Sequence, residues 1–567
     1  LEKLDYVAEL GAYEPQVQKG IQSLQDKGIM ERIWTHDYGV WKDAPDEISN
    51  RLGWLHTPEA MLEQLPRLRK FTQGARNEGF GQALLLGMGG SSLAPQVFRN
   101  VFGVKDGFLD LNVLDSTDPA AVLAAAAGHD PHKTLYIVST KSGGTVETFS
   151  FFKYFYNQAT NVLGKDDAGK HFVAITDPGS SLVDVAKTCN FRDVFLNDPN
   201  IGGRYSALSF FGLVPAALLG VDLEKLLDGA LKMVCKGKPC HFAVAGNRLG
   251  AQSGSAIGVL AQQGRDKMTL AGSERMNLIG PWVEQLIAES LGKEGKGVLP
   301  VSGERLGPPG VYGEDRFFVC LHLKGEPPNE APIKALKAAG HPLAHVYLSD
   351  INDLGAELFR WEMATAVAGH FLKINPFDQP NVEAAKALAH KMVKAYHDEG
   401  ALPALTPSFS ENGITVYADV KGRDLTTTAS HFFGQANAGD YVSLQAYVPP
   451  TDSVMEALQA WRMALRDRCK LATTLGVGPR FLHSTGQLHK GDRGNGLFVQ
   501  ITCDDETDVA IPDEVGSPAS SMSFGVLKAA QALGDRQALL DAKRRVIRFH
   551  LGTDVVKGIQ TLRGLFG

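Results

Sequence analysis

Paired cysteines, long apolar runs and an excess of basic charge are all missing from this chain of 567 residues. Its six cysteines (Cys189, Cys235, Cys240, Cys320, Cys469 and Cys503) are scattered with no paired-ligand spacing, which argues against a disulfide framework or a zinc site. They read as reduced thiols of a cytoplasmic protein. No apolar stretch is long enough to span a bilayer, and the first residues are polar, so neither a membrane anchor nor a signal peptide is expected. The net charge of -6 leaves no basic footprint for nucleic acid. Aromatic residues make up only 8%, against 44% apolar residues in all, within the range of globular chains. At this length several domains are expected rather than one.

Glycine and hydroxyl residues are present in a telling place. Gly87-Met88-Gly89-Gly90-Ser91-Ser92 follows the apolar run Ala83 to Leu86, and Ser139-Thr140-Lys141-Ser142-Gly143-Gly144-Thr145 follows Leu135 to Val138. Each pattern predicts a strand, a Gly/Ser/Thr turn and then a helix, so backbone N–H groups and hydroxyls converge at a helix N-terminus and favour an anion. One such loop is often only a tight turn. Two in neighbouring βα units, the second with four hydroxyl side chains, point to a phosphorylated small molecule.

The organisation supports that placement. Residues 1–80 read as a helical lead-in. From about residue 81 short apolar strands alternate with helical stretches, which predicts an α/β fold with a parallel sheet covered on both faces. Ligands of such sheets gather at the carboxyl ends of the strands, where both loops fall. A second α/β unit is expected over about 223–400, with a small-residue helix near Gln252 to Gln263 and strands near Met268, Phe317 and His345. The third segment, 401–567, echoes the second. Gly496 to Ile501 resembles Arg316 to Leu321, Val526 to Ala532 resembles Ile333 to Ala339, and Arg545 to Leu551 matches the strand around His345. Either a duplication or two units sharing a common βαβ pattern gives such similarity.

Four further segments carry candidate chemistry. Arg204, on Gly202-Gly203-Arg204-Tyr205-Ser206, suits an anionic substrate or a developing oxyanion. Glu289 ends an apolar helix, where the dipole opposes a carboxylate and suits a general base; the plainer reading pairs it with Lys293. Glu284, on another side of that helix, reads as structural. In Asn375 to Lys386, Pro380 starts a helix whose first turn carries Glu383 and whose second carries Lys386. Phe481-Leu482-His483-Ser484-Thr485-Gly486-Gln487-Leu488-His489-Lys490-Gly491 is dense in site-type residues.

Taken together and in this order, these motifs resemble the phosphoglucose isomerase family, built on two sugar isomerase (SIS) domains. The resemblance covers about Leu84 to His397 and is closest to the isomerase portion of bifunctional transaldolase/phosphoglucose isomerase proteins. No transaldolase barrel is found here, so isomerase activity alone is expected. The implied fold has SIS domains over 81–222 and 223–400 and an additional α/β module after them. The implied reaction is aldose–ketose isomerisation of glucose 6-phosphate and fructose 6-phosphate through a cis-enediol, with no metal and no cofactor. In the roles the resemblance implies, Gly89, Gly90, Ser91, Thr140, Ser142 and Thr145 cradle the phosphate with Lys141 beside them. Gln379 contacts substrate, Arg204 stabilises the enediolate, Glu289 carries the proton, and Lys386 assists ring opening.

One departure stands out. The family's ring-opening histidine is expected twenty to thirty residues after the glutamate, and none stands there before His322. His483 lies in a motif like that of shorter bacterial isomerases, so the third module is expected to supply it, within the chain or across a homodimer. His341 is the fallback. Asn381 also stands where glycine is common. Two rivals are a dinucleotide-binding oxidoreductase, imitated by Gly87, Gly89 and Asp115 but lacking the third glycine at Ser92, and a non-catalytic sugar-phosphate sensor. An isomerase of mannose or glucosamine phosphates stays open. A glutamine-dependent aminotransferase lacks its N-terminal cysteine.

Overall fold

Runs such as Leu84–Leu86 and Leu135–Val138 are apolar at every position, which is how a strand buried on both faces reads. In the computed structural model, which describes residues 4–234, 245–327 and 329–566, they form the middle of a five-stranded parallel sheet. Its order is Asp110–Leu114, Gln82–Gly87, Thr134–Ser139, Phe172–Thr176, Asp193–Leu196. Alternation along the strands feeds two cores. Leu85, Ile137 and Val173 pack with Phe98 on one side. Leu84, Leu86, Val138 and Phe172 pack with Phe151 and Phe155 on the other. Burying a side chain of this size contributes about 1.5–3 kcal/mol.

The second sheet has the order Leu4–Glu9, Leu343–Leu348, Arg316–Leu323, Lys267–Gly272, Leu299–Val301. Its last four strands are parallel, and Leu4–Glu9 runs antiparallel at the edge with Tyr6 opposite Val346. The lead-in is therefore not wholly helical, since its first strand closes a sheet assembled more than 300 residues later. Helices Leu354–Leu372 and Val382–Glu399 complete this unit. The latter starts two residues after Pro380.

The third sheet repeats the second, register for register. Its parallel strands Arg545–His550, Gly496–Thr502, Tyr441–Tyr447 and Ala472–Val477 lie in that order beside an antiparallel strand, Ile414–Ala418, with Phe409–Glu411 added outside it. The row Val7, His345, Cys320, Ala271 in one sheet is matched by Tyr417, Arg548, Gln500, Gln445 in the other. The segments that echo one another in sequence are the equivalent strands and helices of these two sheets, so one fold is present twice.

The third unit is packed against both others. From its helix Phe524–Asp541, Lys528 donates to Asp118 Oδ2 at 2.8 Å, and Gln531 Oε1 accepts from Thr117 at 2.8 Å. Phe524 stacks on Phe151 with centroids 5.8 Å apart. Among the described residues no helix is long and apolar enough to cross a membrane. The four described cysteines are free; Cys235 and Cys240 lie outside the described residues.

Candidate active site

The two phosphate-type loops open at the carboxyl ends of neighbouring strands, with Gly87 paired to Ser139. Gly89 has φ of +56°, and a Cβ on Gly90 would stand 2.0 Å from the carbonyl oxygen of Gly203. Only glycine lets the first loop lie against the turn that carries Arg204. Ser92 donates to Asp115 Oδ2 at 3.1 Å, and Asp115 also pairs with Arg480 at 2.7 Å. That carboxylate is thereby committed within the protein rather than held out for a ribose. In the second loop the Thr140 and Thr145 hydroxyls hydrogen-bond at 2.9 Å. Lys141 pairs with Asp177, whose carboxyl burial pushes up.

Arg204 is 2% exposed, and its guanidinium makes four hydrogen bonds besides an ion pair with Glu289. Nε donates to Ser290 Oγ at 2.7 Å. One terminal nitrogen donates to the carbonyls of Pro376 and Asp378 at 2.8 and 2.9 Å. The other meets Gln379 Oε1 at 3.0 Å and Glu289 Oε1 at 3.1 Å. The guanidinium is thus fixed on its backbone side and offers one nitrogen to the side where Gln379 and Glu289 stand. Those three residues come from the Gly203 turn, the C-terminal end of helix Gly280–Leu291, and the turn before Val382–Glu399.

Lys293 is not the partner of Glu289. It pairs with Asp378 at 2.7 Å, and burial, with repulsion from Arg204, pushes its ammonium down to about 8. Glu284 is half-buried on the same helix. Burial pushes its carboxyl up to about 7 against the pull of Arg462 and Arg480, and it touches none of the grouped residues.

His483 lies within reach of this group in the same chain. Its backbone carbonyl accepts from Gln285 Nε2 at 2.9 Å, and the same amide donates to Glu289 Oε2 at 3.0 Å. Its ring Nε2 donates to Glu147 Oε1 at 2.9 Å. Burial alone raises the Glu147 carboxyl, but the charge and hydrogen bond of His483 outweigh it and hold the group below its ordinary value. A cavity of about 170 Å³ joins Ser142, Thr145, Glu147, Lys386, His483 and Gln531. Lys386 is half-exposed there, paired with Glu383 at 2.9 Å. The fallback His341 instead packs edge-on against Tyr312 and Phe318. A larger cavity of about 680 Å³, lined by Glu9, His322 and Lys334 among others, lies at the edge of the second sheet and contains none of the grouped residues.

Glu147, Gln285 and Gln531 had no local signal in the sequence, whereas Gln487 stands in the segment dense in site-type residues. Gln531 donates to Glu147 at 2.6 Å across 384 positions. Gln487 donates to the Gly292 carbonyl at 3.0 Å and to Asn381 Oδ1 at 2.7 Å, while its own oxygen accepts from the Asn381 N–H at 2.8 Å. Asn381 thus has its own partner in the third unit. Among the described residues no cluster of three or more His, Cys, Asp or Glu is placed to hold a metal ion.

The paired loops and the Arg204–Glu289 contact are the arrangement expected of a double-sheet enzyme of the sugar isomerase type. A family model described as phosphoglucose isomerase matches residues 67–300. The glucose-6-phosphate isomerase of Rubrobacter xylanophilus is 30% identical over 405 residues, 61% of this chain and 92% of that protein. An enzyme of the same name from Thermus thermophilus is 27% identical, over 61% of this chain and 91% of its own. Among solved structures, a hypothetical protein from Thermus thermophilus shares 25% identity with a TM-score of 0.58, covering 68% of this chain and all of that one. A glucose-6-phosphate isomerase from Chlamydia trachomatis shares the fold at 18% identity and a TM-score of 0.58, covering 70% of this chain and 89% of that one. The chain belongs to the phosphoglucose isomerase family.

Proposed function

We propose that this enzyme interconverts glucose 6-phosphate and fructose 6-phosphate by proton transfer through a cis-enediolate, with no metal in the reaction. The observation that carries the reading is the Glu289 carboxylate 3.1 Å from the fixed Arg204 guanidinium, with His483 one amide away. The phosphate occupies the hydroxyl loops of Ser91, Thr140, Ser142 and Thr145. The ring opens when the C1–O5 bond breaks, O5 gains a proton and O1 loses one, exchanged with His483 and assisted by Lys386. Glu289 then takes the proton from C2 as the C1=C2 bond forms and the carbonyl pair moves onto O1. Arg204 stabilises that charge by the nitrogen facing Gln379 and Glu289, which favours the transition state more than the ground state. A proton passes from O2 to O1, and Glu289 returns its own to C1.

Glu147 holds the His483 ring, and both lie in the chain that carries Glu289, so one chain contains every group in the scheme. The test is conversion of fructose 6-phosphate in the presence of EDTA, with Glu289→Gln beside the unaltered enzyme. Chelator-resistant turnover that falls at least a hundredfold in the variant is expected. Turnover that EDTA abolishes, or a fully active variant, contradicts the scheme.

A further inference from the structure

The face of the third sheet turned to helix Phe524–Asp541 is unusually polar. Gln445, Gln500, Thr502, Tyr447 and Arg548 share that face, and Val442, Leu497, Val499, Ile547 and Phe549 fill the apolar core. At its carboxyl-end corner lies a cavity of about 210 Å³, room for about seven water volumes. Arg548, Tyr447, Thr502, Lys528 and His550 line it.

Arg548 is the odd residue. It is 7% exposed, its side chain makes neither an ion pair nor a hydrogen bond with any described residue, and its Nε is fully buried without a partner. Tyr447, which also lines the cavity, is 1% exposed, and its hydroxyl is buried without a partner. At neutral pH a guanidinium keeps its proton, so a buried one without an acceptor is costly. Among the described residues no carboxylate pairs with Arg548. Asp535 is held by Lys490 through Oδ1 while its Oδ2 is buried without a partner, and Asp118 and Asp505, the latter also lining the cavity, are held by Lys528. Arg536 adds a second guanidinium whose Nε has no partner, and burial with that repulsion holds Arg548 down to about 10.

We infer that this corner of the third unit is a second anion site, separate from the catalytic cradle, that takes a phosphate group on Arg548, Tyr447 and Thr502. Donors of this kind suit a tetrahedral oxyanion. The occupant is inorganic phosphate or the phosphate of a small phosphorylated metabolite. Its site shares one helix with the catalytic cavity, since Lys528 and Ala532 face the anion site while Leu527 and Gln531 face Glu147 and His483.

The test separates the two phosphate sites. In the full chain, Thr140→Val with Thr145→Val disables the catalytic cradle, and calorimetric titration with inorganic phosphate at constant ionic strength reads what is left. One saturable site is expected in that background, weakened at least tenfold by Arg548→Gln and several-fold by Tyr447→Phe, which removes one hydroxyl and no charge. Glycerol 3-phosphate is titrated in parallel. Tighter binding of the ester assigns the occupant to a phosphorylated metabolite, and tighter binding of inorganic phosphate assigns it to the free ion. No saturable site in the cradle variant, or a site that both Arg548→Gln and Tyr447→Phe leave unchanged, overturns the inference.

Discussion

At the residue scale the site is a set of fixed charges around one exchangeable position. Arg204 commits its other nitrogens to Ser290, Pro376 and Asp378, so an enediolate oxygen meets it at the nitrogen that faces Gln379 Oε1 and Glu289 Oε1. Arg204→Lys cannot reproduce the fork that spans Ser290, Pro376, Asp378 and Gln379. It is expected to lower kcat about a hundred- to a thousandfold while KM changes little, as measured by steady-state kinetics. Lys293 gives a pH prediction. Its folded value near 8 lies below its ordinary 10.5, so between those limits the unfolded chain binds the proton and the folded chain does not. Stability from this group therefore rises with pH from about 8 to about 10.5. Thermal unfolding should show that rise in the unaltered enzyme, relative to Lys293→Met. Arg204 and Glu289 could be found from sequence because each sits in its own motif. Glu147 could not, because as the second residue of a helix it looks like an ordinary dipole-compensating acid until His483 arrives from 336 positions away.

At the element scale, what was legible was what is locally encoded. Strands such as Phe172–Thr176 are buried on both faces and read as continuous apolar runs. Leu4–Glu9 is an edge strand that exposes the apolar Val7, and its partner lies far along the chain, so its local pattern does not declare it. Leu299–Val301 has three residues and a proline, too little for any periodicity. The short helix Gly486–Gly491 is likewise defined by its docking, through Gln487 on Gly292 and Asn381. Gln487→Ala should cost about 1–3 kcal/mol of stability by denaturant unfolding, since buried polar groups are left unpaired. Asn381→Gly should share most of that loss, so the double variant should fall well short of the sum of the two.

At the scale of the whole molecule, the chain carries the same sheet twice and uses the second copy to close the site. The repeat was visible in sequence as faint echoes, and only the shared register of five strands shows how far it extends. His483 was named from its motif, but which chain's site it meets was not legible, because the sequence leaves open whether the third unit folds back on its own chain. In this structure it does, with Gln285 bridging Glu289 and His483. If these groups act within one chain, mixing inactive Glu289→Gln with impaired His483→Ala should restore no activity under conditions that exchange subunits. Recovery of activity in the mixture would mean that the histidine works across an interface.

The central claim is that Glu289 carries a proton between two carbons of the substrate. The most direct measurement follows fructose 6-phosphate in deuterated water by proton NMR. A carboxylic acid that exchanges with solvent between the two steps predicts deuterium at C2 of the glucose 6-phosphate formed, and none of this product with Glu289→Gln. Protium kept at C2 by the unaltered enzyme is the proton that Glu289 carried over from C1. Product formed equally well by the variant, whichever isotope stands at C2, contradicts the account.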